Sequence, residues 1–176
     1  NRCLVGSEMC IRDRTYILSV NTERREKIRN NHSATHLLHA SLRNILGDHI
    51  SQKGSLVNDE KLRFDFTYND QLTTDQVNKI ESLVNQTIRA NIQSSVKLMP
   101  TKKAIKSGAI ALFGERYPEN VRVISFNNDG YNKSLSSVEL CGGTHVESTG
   151  QIGTFKIVSN HSLSLIHISE PTRHRL

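Results

Sequence analysis

The hydrophobic pattern divides the chain into short elements of two kinds. In HSATHLLHASLRNILG, Leu38, Leu42 and Ile45 recur at helical spacing with Leu37 and Leu46 beside them, so residues 21 to 47 read as one helical region. Asn30 or Asn31, just before the apolar run, suits the N-cap, and Gly47 suits the C-cap. The charged lead-in TERREKIRN reads as an exposed helical approach. Residues 55 to 57 read as a short strand, Asn58-Asp59 as a turn, and Leu62, Phe64 and Phe66 alternate with polar residues. A hairpin follows from that order. Residues 73 to 94 form an amphipathic helix with Val77, Ile80, Val84, Thr87 and Ile88 on one face, capped by Thr73 or Thr74.

Beyond that helix the elements shorten. Residues 95 to 99 are extended up to Pro100, and TKKAIKS is a short basic helix. GAIALFGERY is apolar and broken by glycines, as in a segment that passes near a pocket. VRVISF and SVEL are strands on either side of the turn-rich NNDGYNKSLS, and IGTFKIV, residues 152 to 158, is expected as a final strand. Helices mixed with antiparallel strands predict an α+β fold.

Composition changes this picture mainly at the ends. The chain has 176 residues, 36% hydrophobic, with a formal charge of +6. No run of apolar residues is long enough for a membrane span, and no membrane partner is expected. Three cysteines with no framework spacing point to a reducing, intracellular setting. Residues 1–14, NRCLVGSEMCIRDR, and residues 163–176, LSLIHISEPTRHRL, are related in an unusual way. One codon assignment for the first has a reverse complement that encodes the second. The two ends therefore read as strands of one inverted DNA repeat, a translated sequencing adapter, and are set aside. Residues 15–162 remain. Lys plus Arg falls from 23 to 18 and Asp plus Glu from 17 to 14, which leaves +4 and makes Cys141 the one native cysteine.

Two short motifs in this insert carry chemistry. HSATH places His32 and His36 four apart on the first helix, projecting from one face. Ser-Ala-Thr stands between them, so the glutamate base of an HExxH protease is missing. CGGTH places Cys141 and His145 around two glycines that permit a tight fold. Each pair alone is equally compatible with ordinary histidines or a buried thiol. Together they make one four-donor set of the mixed nitrogen and sulfur kind that zinc accepts. A Cys–His nucleophile is the competing reading, and no third orienting group stands out for it.

NHSATHLLHASLR, QKGSLV, LRFDF, ALFGERY and VELCGGTHVESTGQIGTFKIVS, in that order, resemble the editing domain of alanyl-tRNA synthetases over about residues 21 to 160. The related threonyl enzymes typically have proline before the last histidine, where Thr144 stands here. The resemblance implies the α+β editing fold, with residues 15–162 a fragment of that domain and the rest of the synthetase absent. It implies a cytoplasmic aminoacyl-tRNA deacylase that hydrolyses the ester of tRNA(Ala) mischarged with serine or glycine. It also implies zinc held by His32, His36, Cys141 and His145, with Gln52 of QKGS lining the pocket as a catalytic residue. No adenylate-forming motif is visible, so aminoacylation is not expected. Lys53, Lys102, Lys103 and Lys106 are candidates for tRNA phosphate contacts. His39 is a candidate support for the metal site, and His49 carries no signal. The alternatives are a stand-alone editing protein and a zinc-stabilised RNA-binding module without catalysis.

Overall fold

The computed structural model describes residues 17–111, 116–127 and 135–161. Both adapter-like ends lie outside these residues, as do Leu112 to Glu115 of ALFGERY and most of NNDGYNKSLS. Helix α1 spans Thr22–Leu46, β1 Gln52–Val57, β2 Leu62–Phe66 and α2 Thr74–Arg89. Strand β3 spans Ser94–Pro100, α3 Thr101–Lys106, β4 Asn120–Phe126 and β5 Ser137–Leu140, followed by a 3-10 turn at Thr149–Ile152. The fold is α+β, as expected.

Helix α1 starts earlier than the apolar run suggests. Its N-cap is Asn21, whose Oδ1 accepts the Arg24 N–H at 2.9 Å. The charged lead-in continues the helix, supported by a Glu23–Lys27 pair at i,i+4. Asn30 and Asn31 are therefore interior residues. Asn31 instead ties the helix to the hairpin turn, its Nδ2 donating to the Asn58 carbonyl at 2.8 Å. Gly47 closes the helix at φ 117°, donating its N–H to the Arg43 carbonyl. The ten residues Ser33 to Leu42 are all buried, so the middle of α1 is enclosed on every side.

Strands β1 and β2 pair antiparallel, with a bulge between Gln52 and Gly54. The Asn58 carboxamide accepts the Glu60 and Lys61 N–H groups and shapes the turn. A second antiparallel sheet has the order β3-β4-β5. Ile110 bridges in parallel to Glu139 and extends that sheet past β5. The main core gathers Leu37, Leu42, Ile50, Ile80, Val84, Ile124 and Phe126 between α1, α2 and both sheets. A smaller cluster, Ala104, Ala109, Val121, Val123 and Leu140, packs around α3. Of the two expected caps, Thr73 and Thr74, it is Thr73 that caps helix α2, in a capping box completed by Gln76. No helix among the described residues is long and apolar enough to cross a membrane.

The expected strand at 152–158 does not form. Residues 149–152 make the 3-10 turn, and the chain then continues without regular secondary structure along α2. Its backbone is satisfied by side chains rather than by a neighbouring strand. Asn85 Oδ1 accepts the Phe155 N–H at 3.0 Å, and Asn85 Nδ2 donates to the Phe155 carbonyl at 2.8 Å. Glu81, one turn earlier, accepts the Ile157 N–H at 3.0 Å. Alternation in TFKIV thus marks a half-buried segment without a ladder. Asn85→Ala is expected to strip both partners from the buried Phe155 backbone and cost about 1–3 kcal/mol. Urea unfolding followed by circular dichroism measures it; an unchanged midpoint would contradict the assignment.

Candidate metal centre

His32 and His36 face the same way because they lie one turn apart on α1. Cys141 and His145 reach them from the loop after β5, more than one hundred residues later. One donor atom from each of the four lies within 4.8 Å of the others. Cys141 Sγ is 3.4 Å from His32 Nε2. A tetrahedral ion with bonds of about 2.0–2.3 Å would set its donors about 3.3–3.8 Å apart, so this pair is already spaced for one. The three imidazole centroids lie 4.3 to 5.2 Å apart.

The loop is held by hydrogen bonds to α1 and β4. The Cys141 N–H donates to the Arg122 carbonyl on β4 at 3.0 Å, Val146 N–H donates to Ser33 Oγ at 3.0 Å, and Arg29 Nε donates to the His145 carbonyl at 2.7 Å. The Arg122 guanidinium also donates to the Gly142 and Gly143 carbonyls. The two glycines differ. A methyl at Gly143 would fall 2.1 Å from His32 Cε1, whereas one at Gly142 meets nothing within 4 Å. Neither has a positive φ. Close approach, not backbone freedom, therefore explains Gly143.

Electrostatics prepare the site for a cation. Burial pushes the Cys141 thiol up, but His145, His32, His36 and the Gly143 N–H favour the thiolate and bring it down to about 3. Burial also disfavours charge on His36, yet the Cys141 thiolate and Glu139 raise it to about 9. Burial, with His32 and His36 nearby, lowers His145 and keeps it neutral. Among the described residues, the buried side-chain polar atoms without a hydrogen-bond partner of good geometry are His36 Nε2, both ring nitrogens of His145, His39 Nε2 and Ser41 Oγ; three of these five belong to the four-donor cluster. Buried unpaired nitrogens cost about 1–3 kcal/mol each. Nitrogens left open around a thiolate fit a soft or borderline divalent ion such as zinc.

Sequence reasoning passed over Glu139. It is buried, and its carboxylate meets His36 Nδ1 at 2.7 Å and His39 Nδ1 at 3.0 Å. Burial pushes this acid up, but the two histidine bonds outweigh it and hold it at about 2. The signal was its place two residues before Cys141, on the strand that leads into CGGTH.

The other candidates are not gathered here. Gln52 opens β1 and donates its carboxamide to Ser55 Oγ at 3.1 Å. Lys53 is exposed on the same strand. Lys102, Lys103 and Lys106 lie exposed on α3, and His49 is exposed after α1. A cavity of about 660 Å³ lies between α1, β2 and residues 152–161, lined by Leu38, Leu42, Phe64 and Phe66 among others. None of the four donors lines it.

Comparison with known proteins first gives the class. Residues 121–166 match the family described as threonyl and alanyl tRNA synthetase second additional domain. These residues are similar to that domain, and CGGTH lies inside the match. Most of the chain is also similar to part of alanine–tRNA ligases. It is 49% identical over 164 residues to alanine–tRNA ligase of Wolbachia pipientis wMel, covering 93% of this chain and 18% of that protein. It is 50% identical over 145 residues to the Idiomarina loihiensis enzyme, covering 82% of this chain and 16% of that protein. It is 43% identical over 165 residues to the Caulobacter vibrioides enzyme, covering 93% and 19%. The chain thus spans less than a fifth of the length of these relatives. These findings bear out the resemblance drawn from the motifs.

The two glycines separate close approach from flexibility. Gly143→Ala is expected to push the His32 ring out and weaken zinc binding about 10–100-fold, the size of effect seen when ligands lose their support. Gly142→Ala is expected to bind as the parent does. Chelator competition measures both, and equal affinities for the two variants would contradict the geometry.

Proposed function

We propose that this chain is the editing part of an alanyl-tRNA synthetase, and that it hydrolyses the ester of tRNA(Ala) mischarged with serine or glycine. The observation that supports this best is the meeting of HSATH and CGGTH around open nitrogens and a thiolate. His32, His36, Cys141 and His145 are the residues that would hold zinc. Zinc there would supply Lewis acidity to polarise an ester carbonyl or lower the pKa of a water. A second hydrolytic site is useful because a synthetic pocket rejects small or near-isosteric amino acids poorly.

The chain's own groups divide the remaining work. Gln52, on the bulged start of β1, hydrogen-bonds the aminoacyl group or the attacking water. The exposed Lys102, Lys103 and Lys106 on α3, with Lys53 on the hairpin, place tRNA phosphates without reading sequence. The similarity to a short part of much longer relatives favours a piece of a synthetase over a stand-alone editor.

A second reading has one observation in its favour. Four protein donors form the closed pattern of a structural zinc site. The domain would then be a zinc-stabilised RNA-binding module. Deacylation of Ser-tRNA(Ala) separates the two. The zinc-loaded chain is expected to release serine, His36→Ala to lose activity and zinc together, and Gln52→Ala to lose roughly 10²-fold in rate with zinc retained. Tight tRNA binding with no release of serine would sink the editing reading.

A further inference from the structure

Three histidines of α1 face β5, yet only two of them belong to the four-donor cluster. His39, two turns beyond His32, is 2% exposed. Its Nδ1 meets Glu139 Oε1 at 3.0 Å, and His36 Nδ1 meets Glu139 Oε2 at 2.7 Å. Each carboxylate oxygen therefore serves a different imidazole. Ser137 Oγ also donates to Oε1, at 3.4 Å. An ionised carboxylate only accepts, so both Nδ1 atoms must carry the proton. For His36 this leaves Nε2, an atom buried without a partner, as the nitrogen that would face a metal. The His39 ring is fixed on its other side by Phe64, with centroids 5.3 Å apart.

We infer that Glu139 and His39 are positioning residues for the metal centre: His39 fixes the Glu139 carboxylate, and Glu139 fixes the tautomer and ring plane of His36. The inference rests on the metal reading of the four donors. Two physical reasons support it. A metal-bound imidazole gains orientation when its other N–H is held by a carboxylate. A buried carboxylate short of donors is costly, and His39 supplies the shorter of the two hydrogen bonds to its second oxygen, the other coming from Ser137. The backbone reinforces the arrangement. Glu139 sits on β5 between β4 on one side and the Ile110 bridge on the other, so its position cannot drift independently of Cys141. A movement of the carboxylate would reach two of the four donors at once, His36 through its hydrogen bond and Cys141 through the strand.

The experiment uses the 176-residue chain loaded with zinc. Zinc affinity is read by chelator competition, and histidine tautomers are read from ¹⁵N–¹H NMR. In the parent, His36 is expected as the Nδ1–H form bound through Nε2. Glu139→Gln is expected to weaken zinc about 10–100-fold and to broaden or switch the His36 tautomer signal. His39→Leu keeps the buried volume but removes the donor, and should weaken zinc about tenfold; His39→Gln restores a donor and should recover most of that loss. The two His39 variants keep the test decisive even if Glu139→Gln does not fold. A residue that only packed would tolerate leucine and gain nothing from glutamine. Parent-like affinity and tautomer in Glu139→Gln, or equal affinities in the two His39 variants, would overturn the inference while leaving the zinc reading intact. A parent chain that binds no zinc would instead overturn the metal reading on which it stands.

Discussion

One buried carboxylate ties helix α1 to strand β5. Glu139, 4% exposed, accepts from two histidines on α1 that are 103 and 100 residues away in sequence. The helix has little choice about this. Its buried middle carries Ser33, Thr35, His36, His39 and Ser41 among its apolar residues, and buried polar groups need partners. Thr35 turns back to the Asn31 carbonyl and Ser33 takes the Val146 N–H, but the histidines look across to β5. Packing of α1 against β5 and assembly of the four donors are therefore one event.

That coupling explains why the centre is poised for a cation. The carboxylate on β5 and the thiolate just past its end put two anions two residues apart, and burial limits how well water screens them. His36, raised to about 9 and so protonated at neutral pH, lies between them. An ion that binds must displace that proton from Nε2, while the Nδ1 proton stays with Glu139. Because the ligands come from distant parts of the chain, metal binding energy becomes folding energy. Gly143 and two arginines near Cys141 serve the same end, since Arg29 and Arg122 hold the loop carbonyls while Gly143 admits the His32 ring.

The four donors and the main helices were legible in the sequence because each depends on local spacing. HxxxH on a helix and CxxxH after a strand are readable without knowing the fold, and so are the Gly47 cap and the Thr73 capping box. What escaped depends on partners distant in sequence. Glu139 in VEL looks like any strand residue until α1 is placed against it. The helical region 21 to 47 is legible, but its N-cap is not, because Asn21 precedes charged residues rather than apolar ones. The segment after Gly153 alternates like a strand, but its partners are the Asn85 and Glu81 side chains, which no period reveals. Gln52 stands out only through the resemblance, and its bond to Ser55 assigns it no chemistry by itself.

The central claim is that His32, His36, Cys141 and His145 hold one metal ion. X-ray absorption at the zinc edge of the stoichiometrically loaded chain tests it most directly. The predicted result is one zinc per chain with one sulfur at about 2.3 Å and imidazole nitrogens at about 2.0–2.1 Å. A shell of light atoms without sulfur, or binding that never reaches one zinc per chain, would contradict it.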